Sequence, residues 1–101
     1  MSKRWHILYH PAVEKDLASI GRSRARRVLK TIETKLGADP EKFGAPLCTG
    51  LAGLRKLRVG DIRVVYRLEK KRIEVFVVVV GRRADDAVYK AANARVDREN
   101  V

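Results

Sequence analysis

The sequence predicts an α+β fold: a small antiparallel sheet with an N-terminal helical hairpin and a short C-terminal helix, within a single domain covering residues 1–101. Three observations carry this. Apolar residues recur at helical spacing over residues 13–36, three short alternating segments follow one another over residues 54–80, and breaks rich in Gly and Pro separate the two regions. A chain of 101 residues, 46% hydrophobic, can bury one modest core and has no room for a separate substrate domain.

Residues 5–9 read as a strand stopped by His10-Pro11. Pro11 suits the first turn of a helix, where a missing N–H costs nothing. Val13, Leu17 and Ile20 give that helix an apolar stripe, and Gly21 ends it before Ser23, whose hydroxyl suits the cap of a second helix. There Ala25, Val28, Leu29, Ile32 and Leu36 form the stripe. Arg24, Arg26, Arg27, Lys30, Glu33 and Lys35 mainly keep to solvent, and Gly37 supplies the stop. Residues 39–53, with Pro40, Gly44, Pro46 and Gly50, read as an irregular connection. Strands at residues 54–59, 62–68 and 73–80, reversed at Gly60-Asp61 and Lys70-Lys71, make an antiparallel meander. A final helix is expected from Asp85 to about Arg95, with Asp85 and Asp86 at its positive end. The helical hairpin should cover one sheet face.

Charge narrows the function. The formal charge is +11, from 23 Lys plus Arg against 12 Asp plus Glu, which raises the local concentration of nucleic acid or of an acidic partner. Residues 54–83 hold ten of the cations, against only Asp61, Glu69 and Glu74. These cations alternate with strand-forming apolar residues, so they line a shaped surface. A lone Cys48 excludes an intrachain disulfide framework and a Cys-based zinc site, which points to an intracellular, cytoplasmic protein. The first residues lead into a short strand and residues 75–80 suit a buried strand, so neither a signal peptide nor a membrane span is expected.

Period-two alternation places Lys56 and Arg58 on one face of their strand and Leu57 and Val59 on the other. Arg63 returns beside them just past the Gly60-Asp61 turn, while Ile62, Val64, Tyr66 and Leu68 face the core. Arg82 and Arg83 follow the last strand, with Tyr89 close behind. Such a concave cluster of donors suits a phosphate held in a fixed geometry. His6 and His10 lack a metal-ligand array, and no phosphate-loop motif is present, so no cofactor or metal is expected.

This pattern resembles the RelE branch of the RelE/ParE toxin superfamily over nearly the whole chain. The resemblance rests on the initial strand and helical hairpin, on the block from Lys56 to Tyr66, and on Val80-Gly81-Arg82-Arg83 with Tyr89. It implies a toxin of a type II toxin-antitoxin system: a metal-independent endoribonuclease that cleaves messenger RNA in the ribosomal A site. The attacking group would be a ribose 2′-hydroxyl, leaving a 2′,3′-cyclic phosphate and a free 5′-hydroxyl. The implied partners are a cognate antitoxin, a bacterial or archaeal ribosome and messenger RNA, with operator DNA reached only through the antitoxin complex and no membrane.

By the same resemblance Lys56, Arg58, Arg63, Arg83 and Tyr89 are the catalytic or substrate-orienting positions, with Arg82 among the substrate contacts. Arg63 and Arg83 can hold nonbridging phosphate oxygens, and Tyr89 can stack on a base. Two departures stand out. Arg58 occupies a position where the best-known RelE carries a Lys proposed as general base, and Arg is a poor base, so Lys56 becomes the candidate acceptor. A base-free route, in which strain and charge stabilisation dominate, is the other option. Cys48 stands where family members often carry another Arg. The alternative function within the superfamily is a ParE-like, noncatalytic inhibitor of DNA gyrase, because one scaffold serves both activities.

Overall fold

The computed structural model describes residues 4–46, 53–82, 91–92 and 94–95. Strand β1 (His6–Tyr9) leads into helices α1 (Val13–Ile20) and α2 (Arg22–Thr31), which continues through a π-helical turn at Ile32–Leu36. A short helix α3 (Pro40–Phe43) and a two-residue strand β2 (Ala45–Pro46) precede β3 (Leu54–Val59), β4 (Ile62–Glu69) and β5 (Glu74–Arg82). The sheet order is β1-β5-β4-β3-β2. The expected α+β arrangement is present. The meander is antiparallel, and β1 joins it as a parallel edge strand on β5, so the sheet is mixed.

The helical hairpin covers one face, as its stripes require. Val13, Ile20, Val28, Ile32 and Leu36 meet Leu57, Ile62, Val64, Tyr66, Val75 and Val77 in the main core. On the other face Leu54, Val65, Val78 and Val79 pack with Ala92.

Four local expectations need correction. Ser23 is not a cap: α2 begins at Arg22 and Gly21 holds the junction with φ of 91°, a left-handed value that favours glycine. Pro11 lies in a turn before α1, where the Ala12 N–H donates to the His10 Nδ1 at 3.0 Å. The reversal between β4 and β5 is longer than Lys70-Lys71 and includes Ile73, whose φ is 54°. The connection expected to be irregular carries α3 and β2, because side chains distant in sequence organise it. The Tyr66 hydroxyl donates to the Pro40 carbonyl at 2.7 Å, and Arg55 donates to the carbonyls of Glu41 and Gly44 at 2.8 and 3.0 Å. An added Cβ at Gly44 would overlap the Tyr66 hydroxyl, so the strap lies too close for any larger residue.

Burial raises the Tyr66 pKa above the ordinary 10.0, only partly offset by the neighbouring Arg55. Tyr9 is raised as well, chiefly by burial and then by Glu33. Below pH 10 both folded and unfolded chains keep these protons. Above it the unfolded chain loses them first, so stability is expected to fall as pH rises. Tyr66→Phe should flatten that alkaline slope without abolishing it, since Tyr9 remains, while lowering neutral stability by about 1–2 kcal/mol through the orphaned Pro40 carbonyl. Urea titrations between pH 8 and 11 check both; an unchanged alkaline slope would refute the assignment.

Candidate functional site

β3 and β4 pair so that Arg58 lies opposite Arg63 and Lys56 opposite Val65. Leu57 and Val59 are buried against the hairpin, and Lys56 and Arg58 are exposed on the other face, as alternation requires. Side chains directly opposite in an antiparallel pair share a face, so the three cations stand together. Like charges placed this way repel, and among the described residues no carboxylate relieves them: none of the three side chains forms an ion pair or hydrogen bond.

Together with Phe43, Gly44 and Ala45 these cations line an open depression of about 250 Å³. Its sides are β3, β4 and the strap that Arg55 and Tyr66 hold in place. Arg63 is half-buried, and its Nη1 is buried without a hydrogen-bond partner. A buried guanidinium N–H left unmade costs stability, and among the described residues none supplies this donor with an acceptor. Lys56 is exposed at the rim of the depression.

The other described cations of this segment have structural partners or stand elsewhere. Arg55 secures the strap, Lys70 pairs with Glu41 at 3.5 Å, and Arg67 lies over the Phe76 ring at 5.2 Å. Arg82 pairs opposite Ile62, which puts it on the helix side of the sheet, away from Lys56, Arg58 and Arg63. The cause is a bulge in β5. Val65 pairs with Val79 but Tyr66 with Val77, so Val78 is an extra residue and the alternation flips beyond it. Without the bulge, strict alternation from Val75 would carry Arg82 to the cationic face; with it, Gly81 lies opposite Arg63 and adds no side chain there.

Arg83, Tyr89, Cys48, Asp85 and Asp86 lie outside the described residues. Phe43 was not legible as a site residue, since it sits in a stretch read as irregular; a lone aromatic between Pro and Gly was the available signal. Among the described residues no group of three or more His, Cys, Asp or Glu is placed to hold a metal ion. No helix among them is long and apolar enough to cross a membrane.

An α+β protein with a cationic depression on the sheet face opposite its helical hairpin matches one class by sequence as well. The family model described as the ParE toxin of type II toxin-antitoxin system, parDE, matches residues 7–87, and the chain belongs to that family. Within the superfamily its similarity runs to the RelE branch. Toxin RelE of Mycobacterium tuberculosis is 28% identical over 80 residues, 79% of this chain and 82% of the relative. The toxin-antitoxin complex RelBE2 from the same organism aligns with a TM-score of 0.76 at 25% identity, covering 84% of this chain and 98% of that one. The archaeal RelE-RelB complex of Pyrococcus horikoshii gives a TM-score of 0.65 at 28% identity over 80% and 97% of the two chains. A free mutant of Escherichia coli toxin RelE shares the fold, with a TM-score of 0.74 at 21% identity over 92% and 98%.

Proposed function

We propose that the protein is the toxin of a type II toxin-antitoxin pair and acts as a metal-independent, ribosome-dependent endoribonuclease on messenger RNA in the A site. The observation that carries this reading is the Lys56, Arg58 and Arg63 cluster with the unpartnered Arg63 Nη1, supported by RelE relatives. In the proposed reaction a ribose 2′-oxygen attacks the adjacent phosphorus and the bond from phosphorus to the 5′-oxygen breaks. The 2′-hydroxyl proton passes to solvent, or to Lys56 when its amine is neutral, and the leaving 5′-oxygen takes up a proton from solvent. The products are a 2′,3′-cyclic phosphate and a 5′-hydroxyl. Arg58 and Arg63 hold the nonbridging oxygens and oppose the charge that develops there. Arg83 assists the leaving oxygen, and Tyr89 stacks on a base.

The proposed partners are the ribosome, messenger RNA and a cognate antitoxin, a role suggested by the RelBE2 and RelE-RelB complexes of the relatives. A second reading, gyrase inhibition without catalysis, is favoured by the ParE description of the matching family model. An inhibitor of that kind has no evident need for three unneutralised cations around an open depression.

Mapping RNA ends on ribosomes stalled with defined A-site codons separates the two. Cleavage inside the codon is expected, and replacing the attacking 2′-hydroxyl by hydrogen should abolish it with ribosome binding intact. Scission that persists at the 2′-deoxy position would eliminate the intramolecular route. Gyrase-dependent DNA damage without messenger RNA cleavage would favour the second reading.

A further inference from the structure

We propose that Phe43, with Lys35 and Lys42 beside it, is a stacking platform for a nucleobase of single-stranded RNA flanking the scissile phosphate. This deepens the RNA-cleavage reading and rests on it. Phe43 is 40% exposed, and its ring forms part of the wall of the depression that Lys56, Arg58 and Arg63 line. An aromatic ring and a set of cations facing the same open space are the two components that single-strand binding surfaces combine.

The surroundings of the ring are built to present it. A four-residue helix has no stability of its own. Here Asp39 Oδ1 accepts the Lys42 N–H at 3.1 Å, Pro40 is buried, and Tyr66 and Arg55 hold two carbonyls within the helix and one just after it. All of that fixes α3 while leaving its one aromatic side chain turned outward. A residue needed for packing would face the opposite way, as Pro40 does.

The Lys35 and Lys42 ammonium groups each lie 5.6 Å from the centre of the Phe43 ring. Among the described residues neither forms an ion pair. Lys35 arrives from the π-helical turn at Ile32–Leu36, a widened turn of a kind that recurs at functional sites. The ring's electron-rich face attracts these charges, which would otherwise be dispersed in solvent. A base that stacks on the ring displaces an ammonium from it, and that ammonium is then placed for the phosphate of the same nucleotide. An acidic protein segment would be drawn by the lysines as well, but charge attraction alone gives no role to an exposed aromatic ring.

The test is equilibrium binding of a short oligoribonucleotide, made uncleavable by 2′-deoxy substitution, at low and moderate salt. Phe43→Ala should weaken binding about tenfold, the scale expected for one stacked base. Phe43→Trp should restore affinity, and its indole emission, corrected for Trp5 with the wild-type protein, should be quenched on saturation. Lys35→Gln combined with Lys42→Gln should weaken binding and flatten its salt dependence. Binding by Phe43→Ala within twofold of wild type, unquenched indole emission, or no oligonucleotide binding by wild type would each overturn the platform. So would a Phe43→Ala variant that keeps RNA affinity and loses only the antitoxin. If wild type binds RNA through Phe43 yet cleaves none on ribosomes, the platform stands and the nuclease reading falls.

Discussion

Arg63→Ala should lower single-turnover cleavage on programmed ribosomes by about 10²–10³-fold, the usual cost of removing one donor aimed at developing charge. The side chain is half-buried between cross-strand neighbours Arg58 and Gly81, at the wall of the depression. Its Nη1 has no acceptor among the described residues. Removing it therefore breaks no internal hydrogen bond and relieves repulsion with Arg58, and the melting temperature should stay level or rise. A loss of activity accompanied by greater stability is the mark of a group retained for function. Arg63→Lys keeps the charge but not the planar pair of donors and should recover only part of the rate. If Arg63→Ala cleaves within threefold of wild type, Arg63 is not the phosphate-holding group. If it melts well below wild type, Arg63 is a structural cation and the unpartnered nitrogen carries no functional meaning.

How much of this was legible in the sequence depended on the range of the interactions involved. The meander was readable because β-branched residues alternate with cations and Gly60-Asp61 marks a tight reversal; β3 runs over the expected Leu54–Val59. The sharing of a face by Lys56, Arg58 and Arg63 followed from the same alternation. The helical hairpin followed from stripes that end in buried Val13, Ile20, Val28, Ile32 and Leu36. What stayed hidden was set by partners far along the chain. The strap at residues 40–46 is ordered by Arg55 and Tyr66, so its Pro and Gly read as irregular even though Asp39-Pro40 opens α3 and Phe43 is a lone aromatic there. The parallel pairing of β1 with β5 likewise depends on how the hairpin crosses the sheet. The placement of Arg82 turned on one extra residue, Val78, within a run of four consecutive valines that carries no local mark of a bulge.

The bulge itself is held by a pair that spans the chain, and breaking that pair should have the largest effect on stability. β1 ends at Tyr9, beside Val77, so beyond this point no strand among the described residues satisfies the edge of β5. Asp16 of α1 and Arg95 near the C-terminus take the place of the missing strand. Asp16 Oδ2 accepts the Val80 N–H at 3.0 Å, Arg95 Nη1 donates to the Val78 carbonyl at 2.8 Å, and the two side chains pair through contacts of 2.7 and 3.0 Å. Their side chains are only 15% and 18% exposed. Asp16→Ala would strand the Arg95 charge and the Val80 N–H together, a loss of about 3 kcal/mol, toward the low end for a buried pair because some solvent reaches it. For a chain of this size that lowers the melting temperature by roughly 10–20 °C. Removing Arg95 as well should cost less than the sum of the two single changes, since the second deletion takes away the unpaired charge. The bulge decides that Gly81 and not Arg82 faces Arg63, so Asp16→Ala should also slow cleavage at temperatures where the variant is still fully folded. Additive effects on melting would show that Asp16 and Arg95 act independently. A full cleavage rate in folded Asp16→Ala would show that the clamp supports the fold without setting the register of the site.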